Sequence, residues 1–338
     1  METNKSIQLT APEISSLWTQ YIFDSMSICF FRYALEHIED HEIKSIYQNA
    51  LGLSREHVQK VTEFMLKENY PIPHGFTEKE DVNINAPRLF QDPFYLHYLY
   101  IMTLQGLTGY SFSVSNSIRS DLRKYYIACM TETMMLFDQT IDVMLTKGLY
   151  TRPPIVSPPD SIDFVKNQSF LTGWFGKRRP LNVMEIGDIT FNMAKMHLHA
   201  ALKVGFIQVA QSKEVRQHIK RGLDITNKQL KIFESVFHEE KLNSPISLQA
   251  LITNSTTSPF SDKFLMYQIQ LSTQLSIGYY GTALSVNGRR DIGAHYFRLN
   301  LELLQFAEDG GKLMIKNGWL EQPPLSSDRD SLVKKMSD

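Results

Sequence analysis

The chain has 338 residues, of which 35 are lysine or arginine and 36 are aspartate or glutamate, giving a formal net charge of −1. This length predicts two domains, because single hydrophobic cores stop growing at about 250–300 residues. The balance of charge excludes a global field that attracts nucleic acid or anionic lipid, so nucleic acid is not an expected partner.

The N-terminal segment METNKSIQLTAPE is polar and has no apolar signal core. No later segment reaches the roughly 18 uncharged apolar residues that a membrane-spanning helix needs. We therefore expect a cytoplasmic protein without a membrane span.

Two long helices are predicted near residues 11 to 38 and 41 to 69, with apolar residues every three or four positions. Thr10 and Glu13 have the spacing of a capping box at the start of the first helix. Only a few residues around Asp40 join the two helices. The pair is therefore predicted to form an antiparallel hairpin.

A second predicted hairpin follows near residues 93 to 118 and 121 to 148. The connection that precedes it is much longer than a hairpin turn requires and can run the length of a bundle. Such a crossover predicts the ferritin-like up-down-down-up arrangement. Gly148, just before Pro153 and Pro154, is predicted to end the last helix in a left-handed conformation.

The second half of the chain repeats the first. The spacing between equivalent residues is 172 through the first hairpin and 170 after the crossover. The matched residues lie at caps, turns and stops: Glu13 and Glu185, Glu68 and Glu240, Arg119 and Arg289, Asp121 and Asp291, and Gly148 and Gly318. A constant register at such positions indicates an internal duplication.

The predicted fold is therefore all-α, with two tandem ferritin-like four-helix bundles. The predicted boundaries are a first bundle at 1–152, a proline-rich linker at 153–180, a second bundle at 181–322 and a polar tail at 323–338. The basic cluster Lys177, Arg178 and Arg179 is short and precedes a proline. It is interpreted as solvated linker rather than as a binding patch.

Several longer stretches resemble a known family: LWTQY, IPHGFTEKEDVN, RLFQDPFYLHYL, RRPLN and AEDGGKLMIKNGWLEQPP. They are similar to tandem ferritin-like bundle proteins of Bacillus-type spore formers, which form domain-of-unknown-function family 3231. The resemblance covers nearly the whole chain. It implies the fold and a setting in the cytoplasm or the spore, and it implies no reaction.

Neither half carries the two Glu-x-x-His pairs of a ferritin-like di-iron site. A reduced site is predicted in the first half, because Asp24 and His57 lie at similar distances from the turn near Asp40. In the ferritin-like topology Glu132 falls at the same height. Two carboxylates and an imidazole are ligands for iron, manganese or zinc. The alternative is that His57 and Glu132 form a hydrogen-bonded pair without metal, or point outward.

The equivalent positions of the second half are Met196, Gln229 and Glu302, so the predicted ligand set is lost there. Cys29 and Cys129 lie in apolar runs and are expected to be buried, reduced thiols. Met134 and Met135 are expected to belong to the core.

No nucleophile elbow, phosphate-binding glycine loop, zinc-finger spacing or Rossmann fingerprint occurs in the sequence. The leading hypothesis is therefore a non-catalytic structural or interaction protein, with a homo-oligomer or another protein as its partner. A metal-binding, redox-type protein with one site in the first bundle is the alternative. An apolar-ligand carrier is a third, since bundles rich in Met and Phe can open a central cavity.

Overall fold

The computed structural model describes residues 7–174 and 178–329. Lys177 of the basic cluster, the first six residues and residues 330–338 of the predicted tail lie outside these ranges. Within the described ranges, all regular secondary structure is helical apart from two isolated β-bridges. The all-α prediction is confirmed. None of the helices in these ranges has the length and apolar character needed to cross a membrane.

The first half contains four long helices and one short one: α1 (Ala11–His37), α2 (His41–Lys67), the one-turn helix α3 (Glu78–Asp81), α4 (Asp92–Asn116) and α5 (Ser120–Thr146). The second half contains four long helices: α6 (Val183–Val209), α7 (Lys213–Glu239), α8 (Asp262–Val286) and α9 (Arg290–Lys316). Consecutive helices pack as the pairs α1 with α2, α4 with α5, α6 with α7 and α8 with α9. The predicted bounds of the first four long helices agree with these to within two residues at each end, and the starts of α1 and α2 agree without difference.

The ends of the helices follow the predicted local chemistry. Backbone N–H groups of Thr10 and Asn182 donate to the carboxylates of Glu13 and Glu185 over 2.8 and 3.0 Å, which completes both capping boxes. Gly148 and Gly318 have φ of 66° and 68°. This left-handed conformation is the helix stop that the sequence predicts at both positions.

The residues that define the duplicated register meet at one end of each bundle. In the first bundle the buried Arg119 guanidinium contacts Glu68 at 2.6 Å and Asp121 at 2.7 Å, and its backbone N–H donates to Glu13. The second bundle repeats this network with the equivalent residues, Arg289, Glu240, Asp291 and Glu185. Each half therefore contains its own copy of the same ion-pair network, built from residues at equivalent positions.

One of the hydrophobic clusters spans both halves of the chain, and each half also has a cluster of its own. The spanning cluster of buried side chains includes Phe30 and Phe94 of the first half and Phe206 and Phe264 of the second. The crossover segments meet in two antiparallel β-bridges, Val82 with Phe260 and Phe90 with Ile252. These pairs are equivalent to each other at the spacing of 170, so the two crossovers contact one another symmetrically.

Candidate functional site

The three residues predicted to form a site lie together in the middle of the first bundle. His57, on α2, is 5% exposed, and its Nδ1 lies 3.4 Å from Oδ2 of Asp24 on α1. Its Nε2 lies 3.2 Å from Oε2 of Glu132 on α5. The imidazole therefore stands between two carboxylates, one on each side of the ring. Whether the group holds a metal stays a prediction.

A fourth residue, which the sequence reasoning missed, completes the group. One ligand atom each of His57, Cys129 and Glu132 lies within 4.8 Å of the others. Cys129 is 1% exposed and carries a free thiol. Cys129 and Glu132 stand three residues apart on α5, which places both on one face of the helix. The signal in the sequence was therefore Cys-x-x-Glu, with the spacing of the Glu-x-x-His pair of di-iron proteins.

Neighbouring side chains fix the positions of Asp24 and His57. The hydroxyl of Ser54 donates to Oδ1 of Asp24 over 2.9 Å, while Oδ2 of Asp24 is buried and accepts no hydrogen bond. The hydroxyl of Tyr110 lies 3.1 Å from Nδ1 of His57. Gln20 donates to the hydroxyls of Tyr110 and Tyr125 over 3.4 and 2.9 Å. The Asp24 oxygen that faces His57 therefore has no donor beside it other than Nδ1 of His57, which lies 3.4 Å away.

The protonation of His57 reflects this environment. Burial lowers the pKa of His57, but the carboxylate of Asp24 and the sulfur of Cys129 raise it by more, and the result is a pKa of about 11. At neutral pH the ring without metal is therefore an imidazolium with a proton on each nitrogen. A metal ion at either nitrogen must displace one of these protons.

A comparison with protein families identifies the family of this chain. A family model described as "Protein of unknown function (DUF3231)" matches residues 1–162 and again residues 169–332. The chain belongs to the DUF3231 family. The two matches fall on the two halves, as the duplicated register predicts, and the resemblance noted from the sequence is confirmed.

A similar solved structure is described as a putative spore coat protein from Bacillus halodurans C-125. It is 19% identical, and the alignment covers 46% of this DUF3231 protein and 100% of the other chain, with a TM-score of 0.43. A TM-score of this size does not establish a shared fold. No curated protein matches the chain.

The second repeat of this DUF3231 protein keeps the tyrosine and the glutamate of the group but has neither the histidine nor the cysteine. The hydroxyl of Tyr280, equivalent to Tyr110, is within 2.8 Å of Oε1 of Gln229 and 3.0 Å of the Met196 sulfur. Leu299 stands where the first repeat has Cys129. Glu302 is retained, but Nζ of Lys228 contacts it at 2.6 Å. At the position that corresponds to the His57 group, the second repeat therefore has a single carboxylate, Glu302, whose charge is neutralised by Lys228.

Proposed function

We propose that this protein binds one divalent transition metal ion in its first bundle, through Nε2 of His57, the thiolate of Cys129 and the carboxylate of Glu132. The observation that carries the proposal is the placement of these three ligand atoms within 4.8 Å of one another. In a tetrahedral zinc site, ligand atoms are about 3.3–3.8 Å apart. A contraction of about 1 Å would bring the group to that geometry.

Asp24 supports this proposal from the other side of the ring. Nε2 of His57 faces Glu132, whereas Nδ1 faces Asp24. A metal-binding histidine usually donates its second N–H to a carboxylate, which fixes the ring and raises its basicity. The buried oxygen of Asp24 that lacks a donor is suited to accept that proton. We therefore propose that Asp24 positions His57, and that Glu132 and His57 are ligands as the sequence predicted.

The donor set favours zinc among the three metals considered. Thiolate, imidazole and carboxylate are all ordinary zinc ligands, and a three-ligand site leaves a fourth position for water or another ligand. Manganese prefers oxygen ligands, and the thiolate of Cys129 disfavours it. Iron remains the alternative for this group of ligands, since imidazole and carboxylate also bind it.

Elemental analysis of the purified protein tests the proposal. We expect close to one zinc per chain, and loss of that zinc in His57→Ala and in Cys129→Ala. Gln229→Ala is the matched control, because it removes the equivalent buried side chain of the second bundle. Metal that is absent from the wild-type protein after reconstitution, or that persists in both His57→Ala and Cys129→Ala, excludes the site.

We also propose the ferritin-like up-down-down-up order for each bundle. Its support is the packing of α2 against α5 and of α1 against α4 in the first half, with α7 against α9 and α6 against α8 in the second. In that order each helix neighbours the two helices that run opposite to it. The division into two bundles, a linker and a tail at the predicted residues also remains a proposal.

A repeated apolar surface favours a second function, that of an interaction protein. Ile127 and Met134 of α5 are 50% and 44% exposed, and Leu145 on the same face is 42% exposed. The equivalent positions of α9 are also exposed and apolar: Phe297, Leu304 and Ile315. The prediction that Met134 and Met135 are core residues is wrong, because both face outward from α5.

The spacings of seven and eleven residues along α5 return nearly to the same helix face, so these side chains form a stripe, which the exposed Asp138 interrupts between Met134 and Leu145. We propose that the stripes of α5 and α9 join copies of this chain. Such assembly fits a non-catalytic protein of the cytoplasm or spore of a spore-forming bacterium.

Sedimentation velocity tests this surface. We expect the wild-type chain to associate at micromolar concentration and the double variant Met134→Glu, Leu304→Glu to sediment as a monomer. Leu66→Glu is the control, since Leu66 is an equally exposed apolar residue on α2, outside the stripes. A wild-type protein that stays monomeric at about 100 μM would remove this second function.

A further inference from the structure

A cleft of about 500 Å³ opens in the first bundle beside the His57 group. Its floor is polar and includes Asp24, Ser54 and His57. Apolar side chains from both halves of the chain also line it, together with several serine and threonine residues. The apolar side chains include Phe23, Leu99, Met102, Leu136, Leu271 and Leu275. Sites of this size, with apolar walls and a few polar groups, are typical of small-molecule binding.

Two carboxamide oxygens in the lining lack hydrogen-bond donors. Oε1 of Gln20 and Oε1 of Gln105 are both buried and accept no hydrogen bond. The amide nitrogen of Gln20 donates to the hydroxyl of Tyr125 over 2.9 Å, which fixes the end of the carboxamide that faces the tyrosines. A buried acceptor without a donor is unfavourable, so both oxygens are suited to a partner that donates.

The charge of the cleft limits the kind of ligand further. Asp24 lies in the lining, and Glu132 contacts His57 from the other side of the imidazole ring. An anionic ligand would add a negative charge beside a group that already has two carboxylates and only one cation, His57, whereas a neutral hydroxyl would not. The lining therefore selects for a molecule that is largely apolar and has one hydrogen-bond-donating end.

We infer that this cleft binds a small aromatic or aliphatic molecule with a single hydroxyl, whose proton is donated to the buried carboxamide oxygen of Gln105. An apolar-ligand carrier was the third hypothesis drawn from the sequence, and the cleft is a defined cavity for that ligand. The inference goes beyond metal binding and does not depend on it, because the carboxamides are not metal ligands in the proposed site.

Gly109 offers a way to fill the cleft without disturbing the fold. It lies in the lining, and a Cβ added there would meet no heavy atom within 4 Å. A leucine at this position can therefore extend into the cleft. Gly281 of α8 is the matched control, since a Cβ there also meets nothing within 4 Å and the residue is not part of the lining.

The test is a fluorescence titration of the full-length, chelator-treated protein with three naphthalenes. We expect 2-naphthol to bind with one site per chain and at least tenfold more tightly than 2-methoxynaphthalene, which has the same ring and no donor. We expect 2-naphthoate, which adds a negative charge, to bind more weakly than 2-naphthol as well. Gly109→Leu should weaken 2-naphthol at least tenfold, while Gly281→Leu should leave its binding unchanged.

Gln105→Leu provides the specific readout, because it removes an acceptor and keeps the volume of the side chain. In this variant the preference for 2-naphthol over 2-methoxynaphthalene should fall by severalfold. Equal binding of the two compounds to the wild-type chain, or equal effects of the two glycine variants, would overturn the inference. Neither result bears on the zinc content of the protein. Conversely, a protein that binds 2-naphthol but contains no zinc would contradict only the proposed metal site.

Discussion

The hydroxyl of Tyr280 donates a hydrogen bond to Oε1 of Gln229 over 2.8 Å. In the first bundle the equivalent hydroxyl, that of Tyr110, lies 3.1 Å from Nδ1 of His57. The tyrosine therefore holds a polar side chain at the same place in both bundles, and only the identity of that side chain differs. We therefore propose that metal binding depends on His57 and on its carboxylate and thiol neighbours, and that Tyr110 is not required for it.

Gln229→Ala should destabilise the protein without changing its zinc content. The substitution leaves the buried Tyr280 hydroxyl with only the Met196 sulfur, a weak acceptor, and losses of this kind cost about 1–3 kcal/mol. Urea denaturation with and without zinc measures the effect. A Gln229→Ala protein with less zinc than the wild type would show that the two bundles are coupled through more than packing.

Asp24→Asn should weaken zinc binding by about 10–100-fold, the usual effect of removing a carboxylate that orients a histidine ligand. The amide keeps the shape of the side chain but cannot act as an anionic acceptor for Nδ1–H of His57. Competition with a chromophoric chelator gives the affinity. Unchanged affinity would place Asp24 outside the site, and a loss beyond about a thousandfold would make it a direct ligand.

Arg289→Met should be among the most destabilising single changes in the chain. The Arg289 side chain is 1% exposed and contacts Glu240 at 3.1 Å and Asp291 at 2.7 Å. Removing one partner of a buried ion pair leaves the other uncompensated and costs about 3–5 kcal/mol. Arg55→Met is the control, because Arg55 is 54% exposed in its pair with Glu78 and surface pairs contribute little. Similar denaturation midpoints for the two variants would contradict the importance of this network.

A buried lysine of the second bundle, Lys203, should make the wild-type chain more stable relative to Lys203→Met as the pH rises from 7 to about 9.5. His57, whose pKa of about 11 lies above that of an unfolded histidine, contributes a slope of the opposite sign in the metal-free chain, and this slope is the same in both proteins. Burial lowers the pKa of Lys203 to about 7, and its Nζ bonds to Oγ1 of Thr226 rather than to a carboxylate. The unfolded chain, where lysine has a pKa near 10.4, binds more protons at Lys203 in this window. The contribution of Lys203 to the free energy of unfolding therefore increases with pH, by at most about 1.4 kcal/mol per unit for one lysine.

Lys203→Met should remove this contribution to the pH dependence. Lys195, whose pKa burial lowers well below its ordinary value, adds a slope of the same sign that remains in the variant. His199 and His218 act on the same region, and burial lowers the pKa of both, so they are neutral across the window. Denaturation series at several pH values give the slopes. Identical slopes for the wild-type chain and Lys203→Met would show that Lys203 is protonated in the fold.

Two Gly→Ala substitutions should have opposite effects on stability. Gly148→Ala forces an L side chain into a left-handed conformation, which costs about 1 kcal/mol or more. Gly52 lies inside α2, and a Cβ there meets nothing within 4 Å, so Gly52→Ala should add about 0.5–1 kcal/mol. Thermal denaturation of both variants checks the signs. A stabilised Gly148→Ala protein would contradict the assigned helix stop.

Local signals in the sequence were sufficient to predict where the long helices begin and end. Caps at Thr10 and Asn182 and stops at Gly148 and Gly318 depend on backbone geometry that a few neighbouring residues determine. The heights of Asp24, His57 and Glu132 followed from helix rise and connection lengths, and the structure does bring them together. Cys129 was missed because a cysteine in an apolar run is usually core, and its role depends on which face of α5 meets α2.

Features that depend on contacts between the two halves could not be predicted from the sequence. Nothing local to Phe90 or Phe260 indicates that their crossovers pair, since the bridges join residues about 170 positions apart. The exposure of Met134 was also unpredictable, because an apolar residue on a helix face is core only if another helix covers it. The cleft beside His57 depends on Leu271 and Leu275 of the second half.

The symmetric pairing of the two crossovers is what a two-fold homodimer of half-length chains would show. Position 82 of one repeat meets position 90 of the other, and the reverse pair repeats the contact, as in an isologous interface. In the joined chain the linker makes this association intramolecular and independent of protein concentration. In a joined chain the two repeats can differ in sequence, so one repeat can carry the proposed binding site while the other contributes only to the fold. Two identical subunits cannot differ in this way.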